Sequence, residues 1–372
     1  MEAERGETML ECLAGFGAGW ELSHPALVRE GARASVYRCR STAAGFDTVI
    51  LKRITDAGAC GTTDWASLRF LGESPAAHCL VPRFLAGNAA RSAYLLEDLG
   101  GSDSLETLLT GRDANALMGA LHRLTRVYGE LHAAAPGGEA RFLEIRRELA
   151  APDGHGRQAE AERWIAALSK LAGWSEALGV AFPGGFERAT AAVARAYAEP
   201  GPFLAFTHGD PAPTNNHVGV DEVRLLDFEY GAYRHCLYDL TAWDVLCPLP
   251  QTCIEEMRNA YRDAIRPAIP EAGDDGHFRQ EWATLCAFRA LAMLTWIPPG
   301  VLEHNQVWAG DWTAREAACT ALSRLARISD GIEPLSPIQA WSENAEGALL
   351  RRYPELEGAL PRWEAFEAGT GD

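Results

Sequence analysis

Phe206-Thr-His-Gly-Asp-Pro-Ala-Pro-Thr-Asn-Asn-His217, followed by Leu225-Leu-Asp-Phe-Glu-Tyr-Gly231, decides the reading of this chain. A short apolar strand, Phe203-Leu-Ala-Phe206, delivers His208-Gly-Asp210, and a second, Val223-Arg-Leu-Leu226, delivers Asp227. Asn215 lies five residues after Asp210, and Asp227 seventeen after it. Phosphoryl transfer from a nucleotide needs such parts: a carboxylate to orient and deprotonate an acceptor hydroxyl, and an amide oxygen with a second carboxylate to hold Mg²⁺ across the phosphates. It also needs a lysine on a neighbouring strand. Lys52, in Thr48-Val-Ile-Leu-Lys-Arg-Ile54, is the candidate, and Asp64 on the following segment is its candidate partner. Singly, each of these residues is an ordinary turn former or a solvated strand lysine. Their joint occurrence in one order carries the inference.

Outward from this stretch the chain divides in two. Ser35–Arg40 and Thr48–Ile54 are β-rich runs joined by a hairpin connection, Asp64–Leu71 reads as a helix with Asp64 near its start, and Leu80–Leu85 and Ser92–Glu97 read as further strands. Gly100-Gly101 breaks that pattern. Beyond it, Asp103-Ser-Leu-Glu carries a capping signature, and Leu117, Leu121, Leu124, Tyr128 and Leu131 recur at helical steps between Asp113 and Ala135. The stretch 136–200 predicts two more helices, and 238–349 is helical with Pro-rich joints. The expected fold class is α+β: a small antiparallel β lobe over residues 1–99, then a larger, mostly helical lobe over 100–372 with a helical insertion at about 136–200.

The 372 residues carry 34 Lys+Arg against 51 Asp+Glu, a formal charge of −17, which argues against nucleic acid as the partner because that binding rests on clustered cations. The same field suits a cationic small molecule. Nine cysteines, scattered and without a Cys-x-x-Cys pair, fit reduced thiols and no zinc knuckle. The start, Met1 to Glu7, is acidic where a secretory leader would be basic, and the longest stretch free of charged residues, Ala290 to Leu302, is too short for a bilayer. A soluble cytoplasmic protein with no membrane partner is expected.

His208-Gly-Asp210 with Asn215, and Leu225-Leu-Asp227-Phe-Glu229, resemble the aminoglycoside phosphotransferase family within the protein-kinase-like fold. That family has His-Gly-Asp where protein kinases have His-Arg-Asp. Tyr238-Asp239-Leu-Thr-Ala242 is similar to its Tyr-Asp-Leu-Ala helix start, Tyr94-Leu-Leu-Glu-Asp-Leu-Gly100 to its hinge, and Leu131-His132 to the end of its preceding helix. The resemblance covers roughly residues 25 to 245. It implies a bilobal fold, ATP or GTP as donor with Mg²⁺, and Asp210 as the catalytic carboxylate. It further implies Asn215 and Asp227 as metal ligands, Lys52 on the α- and β-phosphates, and His208 and Asp239 as supports of the catalytic loop. Asn216 competes with Asn215 on residue type, and the five-residue spacing favours Asn215. Adenine is expected on the backbone of Glu97 and Leu99 beneath Leu96.

Three departures stand out. Glu30-Gly-Ala-Arg-Ala-Ser-Val36 keeps a single glycine, Gly31, in the phosphate-covering loop, with the Ser35 hydroxyl as a substitute contact. Asp64 stands where the family has Glu, and the metal motif is Asp-Phe-Glu. For the acceptor, the candidate acidic residues are Glu229, Asp244, Glu281 and Glu303; Trp243, with Trp282, Trp296, Trp308 and Trp312, would suit a quaternary ammonium by cation–π attraction. The resemblance implies a kinase acting on a hydroxyl of a small, amine-bearing molecule such as an aminoglycoside, with a choline/ethanolamine- or homoserine-type kinase as alternative. A reading of another class, a catalytically weak nucleotide-binding regulator, rests on the single loop glycine. Retention of Lys52, Asp210, Asn215 and Asp227 together favours the kinase.

Overall fold

The computed structural model describes residues 13, 15–16, 19–55, 59–150, 156–358 and 363–367, without the side chains of 59, 60 and 367. Met1 to Glu7 lies outside them. Strands β1 (Leu22–Glu30), β2 (Ala34–Ser41), β3 (Thr48–Ile54), β4 (Phe84–Asn88) and β5 (Ala93–Glu97) form one antiparallel sheet in the order β1-β2-β3-β5-β4. Alternation along β3 sets its two faces. Val49 and Leu51 are fully buried with Cys39, Ala93 and Leu95 on one side, while Ile50 and Lys52 line a cleft on the other.

The sheet differs from expectation at three places. β1 was not foreseen: it is an exposed edge strand carrying Pro25 and two register shifts, so it lacks the alternation that marks a half-buried strand. The fourth strand starts at Phe84 rather than Leu80, because Pro82 lacks a donor and constrains Val81, and both Leu80 and Val81 sink into the helical core. The helix α1 runs Ala59–Gly72, so Asp64 sits in its second turn, buried, rather than at its start.

After β5, Asp98–Ser104 leads into α2 (Leu105–Leu109), capped by Ser104 on Thr107 N, and α3 (Ala114–Ala134), capped by Asp113 on Ala116 N. The region expected to hold two helices holds four among the described residues: α4 (Glu139–Glu148), α5 (Arg157–Ala167), α6 (Leu171–Leu178) and α7 (Phe186–Ala198). A 3₁₀ turn at Leu168–Lys170 and a left-handed Gly179 divide what composition reads as one Ala-rich run. Two short antiparallel pairs then carry the motif residues: β6 (Leu204–Thr207) with β9 (Ala232–His235), and β7 (Asn216–Val218) with β8 (Val223–Leu225).

Helices α8 (Leu237–Leu240), α9 (Ala242–Val245), α10 (Gln251–Ile265), α11 (Asp275–Trp296), α12 (Ala314–Ser329), α13 (Ser336–Arg352) and α14 (Glu364–Glu367) complete the helical part, interrupted by one unforeseen hairpin, β10 (Val307–Ala309) and β11 (Trp312–Thr313). α11 is its spine. The insertion docks on it through indoles: Trp164 Nε1 donates to Phe288 O at 2.9 Å, and Trp174 Nε1 to Leu294 O at 3.0 Å. No described helix is long and apolar enough to cross a membrane.

Candidate active site

β3 and α1 bring the first cluster together. Lys52 Nζ donates to Asp64 Oδ2 at 2.7 Å and to Asp227 Oδ1 at 2.8 Å. The Tyr94 hydroxyl, opposite Lys52 across the β3–β5 pair, donates to the same Asp64 Oδ2. The other oxygen, Oδ1, accepts Phe228 N–H at 2.7 Å. The shorter Asp side chain thus reaches the lysine and also fixes the backbone next to Asp227. Burial alone would pull the Lys52 ammonium down, but Asp64 and Asp227 hold it above its usual value. For Asp227 burial pushes upward and Lys52 outweighs it, leaving the carboxyl below its usual range.

The His208–Asp210 loop hangs from one carboxylate. Asp239 Oδ2 accepts His208 N–H at 2.7 Å, and Oδ1 accepts Gly209 N–H at 2.9 Å. His132 Nε2 bonds Asp239 Oδ2 at 3.1 Å, and its Nδ1 meets the Tyr261 hydroxyl at 2.7 Å. Asp239 is fully buried; burial pushes its carboxyl up, yet the bonds from His132 and the loop amides bring it down to about 2. His208 donates from Nε2 to Leu226 O at 2.7 Å and accepts Asp210 N–H on Nδ1 at 3.3 Å. Both ring nitrogens are therefore engaged by backbone. This ties the Asp210 loop to the strand end that precedes Asp227.

Asn215 Nδ2 donates to Asp210 O at 3.0 Å and to Asp210 Oδ2 at 3.1 Å, which joins the two side chains directly. Asn216 is engaged elsewhere: its Oδ1 accepts Leu105 N–H at 2.8 Å and its Nδ2 donates to Pro213 O at 2.9 Å. Asp227 holds a left-handed backbone, φ 66°, which turns its carboxylate back toward Lys52.

Between sheet and helices lies a cavity of about 250 Å³. Val36, Ile50, Leu96 and Leu226 are among its apolar walls, Glu97 and Leu99 form part of the rim, and Lys52, Asp64 and Asp227 form a polar end. The connecting segment is pinned from β2: Arg38 donates to both Asp98 oxygens, at 2.6 and 3.0 Å, and to Gly100 O at 3.2 Å. Gly31 and Ser35 are outside this lining. Gly31 closes the β1–β2 turn through Ala34 O, and strand alternation puts Val36 and Arg38 in the cavity while Ser35 is buried on the opposite face. The Ser35 expectation is corrected by that parity.

The acceptor candidates part company. Glu229 lies two residues after Asp227, paired with Arg33 Nη2 at 2.7 Å, while Arg33 Nη1 donates to the Tyr230 hydroxyl at 3.0 Å. Burial, then Asp227, push the Glu229 carboxyl above its usual range against the pull of Arg33. Asp244 and Trp243 are corrected: both are buried in the helical core, and Asp244 pairs with Arg324 at 2.9 Å beneath Trp282. Glu281 bonds His235 at 3.0 Å, and Glu303 pairs with Arg352. The tryptophans form no common cage: Trp282 and Trp312 are buried, whereas Trp296 is exposed.

Sequence reading missed Tyr94, Arg38, Tyr261 and Arg234. Tyr94 carried a signal in its place two residues before Leu96 on the same strand face, but its pairing with Lys52 depends on a register no single strand reveals.

Residues 26–282 match the model of the phosphotransferase enzyme family. No curated protein matches the chain in sequence. Among solved structures the chain is similar to a choline/ethanolamine kinase family protein from Mesorhizobium loti, with 16% identity, 94% of this chain and 99% of that one covered, and a TM-score of 0.48. It is similar also to a macrolide 2′-phosphotransferase from Brachybacterium faecium, with 16% identity, coverage of 95% and 99%, and a TM-score of 0.47. A third is a choline kinase from Streptococcus pneumoniae, with 11% identity, coverage of 90% and 99%, and a TM-score of 0.46.

Proposed function

We propose that this chain, which belongs to the phosphotransferase enzyme family, transfers the γ-phosphoryl group of ATP, or of GTP, to a hydroxyl of a small amine-bearing molecule. The observation that carries the reading is the convergence of Lys52, Asp64 and Asp227 at one end of an apolar cavity, with Asp210 joined to Asn215 on the adjoining loop. The apolar walls suit a nucleobase, and the lysine end suits phosphates.

The donor set fits Mg²⁺. Among the described residues no three His, Cys, Asp or Glu side chains gather into a metal cage. Asp227 and Asn215 offer one carboxylate and one amide oxygen, the sparse protein share that Mg²⁺ takes when substrate phosphates complete its shell. When bound there, Mg²⁺ supplies neutralisation of phosphate charge. Lys52, kept protonated by its two carboxylates, holds the phosphates; Asp210 orients the acceptor hydroxyl and takes its proton. Asn215 Nδ2 fixes the Asp210 carboxylate, while its amide oxygen, which accepts the Thr214 hydroxyl at 3.3 Å, keeps a second lone pair for the metal.

The amine reading rests on Glu229, the one acceptor candidate beside Asp227, whose counter-ion Arg33 is on an exposed turn and can yield to a ligand ammonium. We place the reaction in the cytoplasm, where ATP is held; the described cysteines, all free, accord with a reducing compartment. The test is a thermal-shift titration with Mg·ATP, then ADP release over aminoglycosides, choline, ethanolamine, homoserine and neutral sugars. Stabilisation by Mg·ATP and turnover on an amine-bearing alcohol are expected. Absence of any Mg·ATP shift overturns the kinase reading, and turnover on a neutral sugar alone overturns the amine.

A further inference from the structure

Behind the catalytic loop lies a buried ion pair that the chemistry above leaves unused. Arg234, on β9, is 2% exposed. Its Nη1 donates to Thr207 Oγ1 at 3.0 Å and to Tyr230 O at 2.8 Å. Nη2 and Nε donate to Glu160 Oε1 at 2.9 Å and Oε2 at 3.3 Å. Thr207 directly precedes His208, Tyr230 is three residues after Asp227, and Glu160 belongs to the insertion helix α5. One guanidinium therefore bonds the base of the Asp210 loop, the segment that follows Asp227, and the insertion. It also lies over the ring of Tyr238, the residue before Asp239, at 5.1 Å.

The neighbouring glycine makes room for it. Gly209 has φ +88°, and a Cβ there would stand 2.3 Å from Tyr230 O and 2.5 Å from Arg234 Nη1. The loop runs so close to the arginine that no side chain fits between. A buried ion pair is a poor way to gain stability, because desolvation offsets much of its attraction. Its planar fork of donors is what an apolar residue could not supply.

We propose that Arg234 is a positioning residue, holding the Asp210 loop and the Asp227 segment at a fixed separation, and that Glu160 makes this separation depend on the seating of α5. The proposal rests on the phosphoryl-transfer reading for its catalytic consequence. Its structural core does not. Arg234→Lys keeps one charge, but a single ammonium cannot hold Thr207 Oγ1 and Tyr230 O, which share Nη1, and at the same time both Glu160 oxygens, which take Nη2 and Nε. Displacing reacting groups by about 1 Å costs about 10²-fold in rate.

The experiment compares full-length wild type, Arg234→Lys and Glu160→Gln, with Arg141→Ala, an exposed ion-pair residue, as control. Hydrogen–deuterium exchange is followed over 207–216 and 228–231, alongside melting temperature and, with Mg·ATP and the acceptor that turns over, kcat and KM. Arg234→Lys is expected to speed exchange in both segments together and to lower kcat about 100-fold while KM for ATP moves less than about 3-fold. The control should match wild type. If Arg234→Lys does not fold, Glu160→Gln, which keeps the side-chain shape, is expected to give the same pattern about 10-fold more weakly. Exchange unchanged in either segment in the folded variant overturns the proposal whatever the activity. A wild type that ignores Mg·ATP overturns the kinase reading instead, and leaves the exchange result to decide this one.

Discussion

Lys52 and Tyr94 face each other across β3 and β5 and close on the same oxygen of Asp64. The carboxylate so held also takes Phe228 N–H, so the strand pair sets the position of the segment that begins at Asp227. Tyr94→Phe removes one buried donor without opening a large hole. It is expected to cost about 1–2 kcal/mol in denaturant unfolding and to weaken Mg·ATP binding a few-fold by calorimetry. An unchanged midpoint would show that the hydroxyl contributes nothing.

Asp210 and Asp227 should separate on substitution. Asp210→Asn keeps the shape that accepts Asn215 and is expected to retain the Mg·ATP thermal shift while turnover falls about 10³-fold. Asp227→Ala is expected to lose the Mg²⁺-dependent part of that shift. Unaltered turnover in Asp227→Ala would remove it from the metal site.

Acid should loosen the His208–Asp210 loop through Asp239. Its folded-state carboxyl is depressed to about 2 against an ordinary value of 3.8, so its contribution of about 2 kcal/mol is present above pH about 4. That contribution drains away as pH falls from about 4 through about 2. Denaturant midpoints across this range should fall in wild type and fall less steeply in Asp239→Asn, which starts lower.

Gly209→Ala tests the crowding between loop and β9. With φ at +88° and two backbone or guanidinium atoms inside 2.6 Å of the new methyl, destabilisation of about 2–3 kcal/mol is expected by thermal melting. A neutral substitution would mean the loop can shift away from Arg234.

Local pattern revealed what is local. The β-rich run around Lys52, the capping signature in Asp103–Glu106, and the spacing of Asp210, Asn215 and Asp227 are all written within a few residues. What stayed hidden depends on distant partners. Asp244 reads as an exposed helix acid until Arg324, eighty residues on, is found against it. Ser35 reads as a loop hydroxyl until the start of β2 fixes its parity. Arg234 has no motif at all, since its meaning comes from three segments that meet only in the folded chain.

The backbone of Asp227 bears on how this protein can change over generations. A left-handed φ of 66° is tolerated by glycine, asparagine and aspartate, and strains other side chains. Asparagine and glycine each lie one nucleotide from an aspartate codon. The mutations that reach this position most readily without disturbing the fold are therefore those that strip it of charge. On the metal role proposed for Asp227, drift here is expected to leave intact proteins without turnover, so a lineage can shed the reaction and keep the scaffold in a single step.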